Sequence, residues 1–502
     1  MSDLERTSSW NGLEIIEESD DVLQANASQE TNTDTAPVSS SGEGGEPTEH
    51  KPVKRLTPQE RRQQRQKRRK HSMIVAITVT SVVVLLLVIG GIIGFRALGE
   101  KVASDKTPEA IVEEIPVIEE EKPVVDMTPE IVEEPEQAEE PEPEPEPEQT
   151  PEELLDEMVT NMISEMTLEE KVAGLFIITP ESLTGQTAVT KAGDGTKEAL
   201  EKYPVGGIVY FKQNITSADQ TKEMIENTKS YCRYPLFIAV DEEGGDVARI
   251  QQALKLDKTS TAEELGAENN TITTFDSYDV IGKRLVEYGF NLDFAPVADV
   301  LTNPDNKAIG NRSFGSDPDV VSNMVVSAIG GLHNNDIVTC VKHFPGQGDA
   351  NADTHTALAS SDRSRSDIEN CELVPFNAAI DSGVDMIMVG HLTVPELMEN
   401  ALPCSLSKEV MTDLLRVNMG YNGIIITDSM SMAAVSEYYG ADEAAIKALK
   451  AGADMILMPE DFQLAYNGVI DAVKDGTIDE HRIDDSLARV YRVKYRDTLQ
   501  TE

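Results

Sequence analysis

From about residue 154 to 495, short apolar runs recur along the chain, separated by longer stretches of mixed character. The runs fall at 172–179, 206–211, 236–240, 292–300, 337–341, 386–389, 423–427 and 455–458. Apolar runs of this length, bounded by polar turns, read as buried strands. Between them, 217–230, 277–288 and 443–451 show the spacing of amphipathic helices. Strands alternating with helices predict an α/β fold, and eight such units predict a (β/α)8 TIM-type barrel over 153–497. A doubly wound open sheet would show the same alternation, because periodicity does not count closure.

Upstream the pattern is different. Residues 1–50 are rich in Ser, Thr, Glu, Asp and Gly and poor in large apolar residues. They cannot bury enough to fold, which predicts a disordered tail. Residues 51–70 hold ten Lys and Arg against one Glu, and 73–95 are 23 consecutive uncharged residues dominated by Val, Ile and Leu. That length spans a bilayer as a helix. A cleaved signal would carry a shorter apolar core, nearer the start. Cations before the span and acids after it predict a single-pass anchor with residues 1–72 cytoplasmic and the rest outside the cell membrane. Residues 96–152 are dominated by Pro, Glu and Val, so they read as an extended acidic spacer.

Net charge is −47, which argues against nucleic acid as a partner. The four cysteines, at 232, 340, 371 and 404, match neither a CxxC pattern nor a disulfide framework.

The ends of the runs are polar. Asp241, Glu242 and Glu243 follow the third, Asp299 ends the fourth, and Lys342 and His343 follow the fifth. His391 follows the sixth and Asp428 the seventh. In a barrel these ends converge on one mouth, where catalysis belongs. After the fifth run, Pro345, Gly346 and Gly348 place the polar groups on a loop. There Asp353 and His355 are two residues apart, a spacing at which a carboxylate can orient an imidazole and raise its pKa. His355 is then a proton-transfer group. A plain polar surface loop is the simpler reading, and a metal site using His343, Asp349, Asp353 and His355 is a third, although the spacing fits no standard zinc pattern.

Six ordered segments resemble glycoside hydrolase family 3, specifically its single-domain β-N-acetylglucosaminidases. They are VDEEGG at 240–245, FAPVADV at 294–300, GNRSFG at 310–315, KHFPGQGDANADTH at 342–355, GIIITDSMSM at 423–432 and KALKAGADMILMP at 447–459. The resemblance implies Asp428 as nucleophile and His355, paired with Asp353, as general acid and base. It implies Asp241, Arg249, Arg312, Lys342 and His343 as holders of the sugar hydroxyls and acetamido group, with no cofactor and no metal. Two positions depart from the family pattern: Asp246 stands where Arg is usual, and Gln347 where His is usual. A retaining glycosidase fits these residues, since it needs a carboxylate nucleophile and a nearby acid/base group. The implied substrate is an N-acetylglucosamine-containing glycan, and the outward placement suggests cell-wall fragments. A phosphorylase, another β-glycosidase and an inactive sugar-binding wall module are the alternatives. Oligomeric state has no signature in the sequence.

Overall fold

A computed structural model describes residues 149–354 and 358–496. The predicted tail, the apolar span at 73–95, nearly all of the acidic spacer, and His355 lie outside the described residues. Among the described residues, no helix is long and apolar enough to cross a membrane.

Each of the eight runs supplies a strand. In chain order the strands are β1 (Phe176–Ile178), β2 (Gly207–Val209), β3 (Phe237–Val240), β4 (Glu242–Gly244), β5 (Val247–Ala248), β6 (Leu292–Asp293), β7 (Val338–Phe344), β8 (Met386–Val389), β9 (Ile424–Thr427) and β10 (Ile456–Leu457). β4 and β5 form a separate antiparallel hairpin. The other eight form one parallel sheet in the order β10-β1-β2-β3-β6-β7-β8-β9. A bridge between Ile426 and Met455 joins the two ends, with the Thr427 N–H donating to the Met455 carbonyl at 3.2 Å. The sheet therefore closes as a barrel, which decides against the open sheet.

Period-2 alternation sorts the strand residues. Ile177, Val209, Phe237, Ala239, Leu292, Met386, Ile424 and Ile426 form the cluster inside the barrel. Phe176, Ile178, Ile208, Ile238, Val240, Ile387 and Ile425 face the surrounding helices. Val490, on the last helix (Glu480–Tyr495), belongs to the inner cluster and plugs its bottom.

Three runs depart from their prediction. The run at 172–179 begins inside the helix Leu168–Ala173, which Thr167 and Glu170 start with a capping box. The run at 292–300 is regular only over Leu292–Asp293. Pro296 has no N–H to give a ladder, yet the chain stays beside β7: the Cys340 N–H donates to the Ala295 carbonyl and the Lys342 N–H to that of Pro296. Finally, β7 runs on to Phe344, so Lys342 and His343 sit on the strand itself rather than on the loop after it. Two helices start near their predicted places, Ala218–Ser230 behind its Ser217 cap and Ala441–Ala451, while the one expected over 277–288 starts six residues earlier, as Thr271–Tyr288 behind Asn270.

Candidate active site

All eight barrel strands are parallel, so the carboxyl ends of β3, β7 and β9 open on one rim. Asp241 follows β3, Lys342 and His343 lie at the end of β7, and Asp428 follows β9. Lys342 is the centre of the charge arrangement. Its Nζ lies 2.7 Å from Asp241 Oδ1 and 2.6 Å from Glu243 Oε1, with the Lys342 side chain 3% exposed. Arg312 grips the same Glu243 with two parallel bonds, from Nε at 2.8 Å and Nη2 at 2.7 Å. A planar guanidinium on a carboxylate is a directional pairing. Burial alone would raise the Glu243 carboxyl, but Arg312 and Lys342 outweigh it and hold the group far below the ordinary carboxylate range. Burial alone would lower Lys342, and Asp241 and Glu243 outweigh that, so it stays a cation.

A second lock sits beside the first. Asp299, fully buried, accepts from His343 Nδ1 at 2.7 Å, from the His343 backbone N–H at 3.3 Å and from the Gln347 N–H at 2.6 Å. A carboxylate can only accept here, so Nδ1 of His343 carries a proton. This leaves Nε2 as the ring nitrogen that Asp299 does not engage.

The β4–β5 hairpin carries the remaining predicted contacts. Gly245 turns it at φ +56°, and a side chain there would collide with Thr261 at 2.5 Å. Asp246 at the turn accepts from Asn311 Nδ2 at 2.6 Å, so the position that departs from the family pattern is tied to the loop bearing Arg312. Arg249 opens the next helix, Arg249–Leu254, and its buried Nε has no hydrogen-bond partner among the described residues. Beneath, Glu242 accepts from the Ile250 and Gln251 N–H groups at 2.8 and 3.0 Å. Burial nevertheless pushes the Glu242 carboxyl up to about 7.

Asp428 is half-buried, its Oδ1 taking the Ser429 N–H at 2.7 Å and its own N–H donating to the Val389 carbonyl at 2.9 Å. His391 donates from Nε2 to the Ser429 carbonyl at 2.8 Å, while Nδ1 lies 2.6 Å from the Ser405 hydroxyl. His391 thus steadies the backbone that presents Asp428. Asp353 is half-buried on the loop after β7, and His355 lies beyond the described residues. Among the described residues, no group of three His, Cys, Asp or Glu side chains is arranged to hold a metal ion.

Residues 167–493 match the model of the glycosyl hydrolase family 3 N terminal domain. The chain belongs to that family. It is 30% identical over 336 residues to the β-hexosaminidase A of Pseudoalteromonas piscicida, covering 62% of this chain and 56% of that protein. The chain thus spans little more than half of that relative. It is 31% identical over 329 residues to the β-hexosaminidase LpqI of Mycobacterium tuberculosis, covering 63% of this chain and 83% of the relative. Among solved structures it resembles a glycoside hydrolase family 3 β-N-acetylglucosaminidase from Paenibacillus sp. str. FPU-7. The TM-score is 0.62 at 33% identity, covering 67% of this chain and 64% of that one. β-Hexosaminidases are thus among the relatives of this family 3 chain.

In this family 3 barrel the geometry gathers Lys342 and Arg312 around one carboxylate that the motifs did not single out, Glu243, with Asp241 on the same Lys342. Its neighbour Asp299 was not singled out either. Both had been visible as polar strand ends. The pairing of Glu243 with Arg312, 69 residues apart, is not a local pattern. His391 and Asp428 come together only because β8 and β9 are neighbours.

Proposed function

We propose that this family 3 enzyme is a retaining β-N-acetylglucosaminidase, anchored at the outer face of a cell membrane, that removes terminal N-acetylglucosamine from wall fragments. The observation that carries the reading is the convergence of Asp241, Lys342, His343 and Asp428 at one rim, on cations already fixed by buried carboxylates.

The chemistry divides into two displacements. The Asp428 carboxylate attacks the anomeric carbon and the bond to the leaving oxygen breaks, while His355 gives that oxygen its proton. A glycosyl ester on Asp428 results. Water then attacks the same carbon, His355 takes the proton of the water, and Asp428 leaves as a carboxylate. Two inversions return the original configuration. Asp353 orients His355, whose ordinary pKa near 6.5 suits proton transfer around neutral pH.

The other residues hold the sugar. Lys342 and Arg312 are prefixed donors, so a hydroxyl meets them without their side chains being ordered at that moment. Asp241 is 19% exposed where Glu243 is 5%, so Asp241 reaches the space of the mouth and Glu243 stays behind it as the support. His343, locked by Asp299, offers Nε2, and Arg249 offers its unpaired donor. The anchored placement is supported by the apolar stretch at 73–95 and its opposite-sign flanks. The wall-fragment substrate is supported by that placement together with the β-hexosaminidase relatives.

The deciding experiment compares the full-length chain on chromogenic β-N-acetylglucosaminide, β-glucoside and β-xyloside, with and without inorganic phosphate. Preference for the first in water is the expected result. Equal or better use of the glucoside would overturn the substrate, and a sugar phosphate product would make the enzyme a phosphorylase.

A further inference from the structure

Above the inner cluster of the barrel, the next inward position of each strand lines the floor of the mouth. On β3, β7 and β9 that position holds Asp241, Lys342 and Asp428, two residues beyond Ala239, Cys340 and Ile426 of the cluster. On β1 and β2 it holds Thr179 and Phe211, two beyond Ile177 and Val209. Phe211 is half-buried and packs on the inner cluster. Its N–H donates to Oδ1 of the fully buried Asn214 at 2.8 Å, which fixes its place. β10 breaks the alternation. Met455 and Leu457 face inward and Ile456 outward, so Met458 should face outward too. Instead it packs, half-buried, on the inner cluster. A backbone φ of +46° turns it there, a conformation that glycine adopts freely and methionine rarely. The Met458 N–H donates to the Ile177 carbonyl at 2.8 Å, and the Met430 N–H to that of Leu457 at 2.9 Å, so the turn is held between β1 and the segment after Asp428. The floor is therefore charged from β3 round to β9, and on β10 and β2 it is apolar.

We propose that Phe211 and Met458 form a seat for the C5 side of the sugar, its ring C–H and hydroxymethyl carbon, and so set a preference for hexosides over pentosides. The inference rests on the retaining reaction at Asp428 proposed above. Attack on a β-glycoside comes from its α face, so that face lies on the floor with C1 over Asp428. In the closed sheet the strand opposite β9 is β3, so C4 lies toward Asp241. Two ways round remain, and handedness selects one. Right-handed crossovers make the strands run anticlockwise as seen from the mouth. A D-glucopyranoside seen from its β face numbers its carbons clockwise. C2 and C3 therefore pass over β8 and β7, on the side of Lys342 and His343. C5, with its hydroxymethyl group, passes over β2, β1 and β10. The first flank of the ring carries the acetamido group and a hydroxyl, which need donors. The second presents carbon, which an apolar floor suits. Backbone strain of the kind at Met458 persists where the surroundings maintain it, and it is commonest at sites that bind.

The test compares sugars that differ only at that carbon. The full-length protein is given nitrophenyl β-N-acetylglucosaminide and its pentose counterpart, the 2-acetamido-2-deoxy-β-xyloside, which lacks the hydroxymethyl group. A carbon missing from an apolar site lowers kcat/KM by roughly 10- to 200-fold, the preference expected of the unaltered enzyme. Phe211→Ala and Met458→Gly should each shrink that ratio by about tenfold, through the hexoside. Glycine takes the φ of +46° without strain, so Met458→Gly removes the side chain and keeps the turn, and it carries the test if Phe211→Ala does not fold. An equal fall on both sugars, or an unmoved ratio, overturns the seat. The N-formylglucosaminide checks the orientation. If the variants shift the acetyl-to-formyl ratio and leave the hexoside-to-pentoside ratio alone, the sugar lies the other way round and the assignment is overturned. Failure of the reaction itself looks different. If the unaltered enzyme ignores the N-acetylglucosaminide, or releases product of inverted configuration, the retaining reading fails and the seat fails with it. If configuration is retained and the ratio stays put, the seat alone is wrong.

Discussion

At the bottom of the barrel Asp454, fully buried, takes Arg416 Nη2 at 2.6 Å, Arg489 Nη1 at 3.1 Å, the Ser486 hydroxyl at 2.8 Å and the Ile425 N–H at 2.9 Å. Nearby Asp385 takes the Thr339 N–H and His333 Nε2, both at 2.9 Å, and pairs with Arg496. At the mouth Glu243 is held as tightly by Arg312 and Lys342. Charge density and burial therefore do not separate the two ends. What separates them is completion. Both oxygens of Asp454 are saturated by the protein, whereas the mouth keeps buried donors with no hydrogen-bond partner among the described residues, Arg249 Nε and Gln347 Nε2. An unpaired buried donor costs about 1–3 kcal/mol, and a ligand that accepts from it recovers that cost. One cluster is completed by the protein, and the other keeps donors to spare among the described residues.

Exchanging one carboxylate at each end breaks this contrast most sharply. Asp428→Asn should lower turnover of every substrate by on the order of 10³-fold or more with an unchanged melting temperature, because no glycosyl ester can form. Asp454→Asn should do the reverse. Removing one partner of a buried ion cluster costs roughly 3–5 kcal/mol, read by denaturant unfolding, while the folded fraction keeps its kcat. A stable Asp454→Asn, or a destabilised Asp428→Asn, would erase the distinction.

Next in size is His355→Ala. Disaccharide turnover should fall by roughly 10²–10⁴-fold with the aryl substrate much less affected, and azide should yield a β-glycosyl azide. Equal damage to both substrates, without rescue, removes the acid/base role.

Glu243→Gln sharpens the comparison within the mouth. It leaves Lys342 and Arg312 without their shared anion, so kcat/KM should drop by roughly 10- to 100-fold. Lys342→Met should give a similar loss, and the pair together less than the product. Additive losses would mean that the two residues act apart.

The smallest effect concerns pH. Burial raises the Glu242 carboxyl to about 7 from an ordinary 4.5. The unfolded chain therefore releases this proton first. The group's contribution to stability is full below about 4.5 and is lost as pH rises through about 7. Glu242→Gln should flatten the decline in the unfolding midpoint between about pH 5 and 8. An unaltered slope would show that Glu242 is not the titrating group.

Much of this was legible in the sequence, and the omissions have physical reasons. A buried parallel strand is an apolar run whatever surrounds it, so all eight barrel strands could be read at 176–457. The two-residue strand Val247–Ala248 and its partner Glu242–Gly244 carry charge and glycine instead of apolar alternation, and the hairpin left no such trace. The helix at Leu168–Ala173 did leave one, in the Thr167 and Glu170 spacing, but Val172 and Ala173 merge into the apolar run that follows. Asp241, Arg312, Lys342 and His343 could be named from their motifs. That Glu243 holds two of them, and Asp299 the fourth, depends on loops meeting in space.

The last helix gives the molecule a mechanical polarity. Its Val490 plugs the lower end of the barrel, Lys494 Nζ bonds the Gly206 carbonyl ahead of β2, and Arg492 pairs with Asp156 of the helix Pro151–Ser164 at 2.6 Å. The described chain thus begins on the face opposite the mouth. A pull applied at Gln149 would load that pair of helices first and reach the strand ends last.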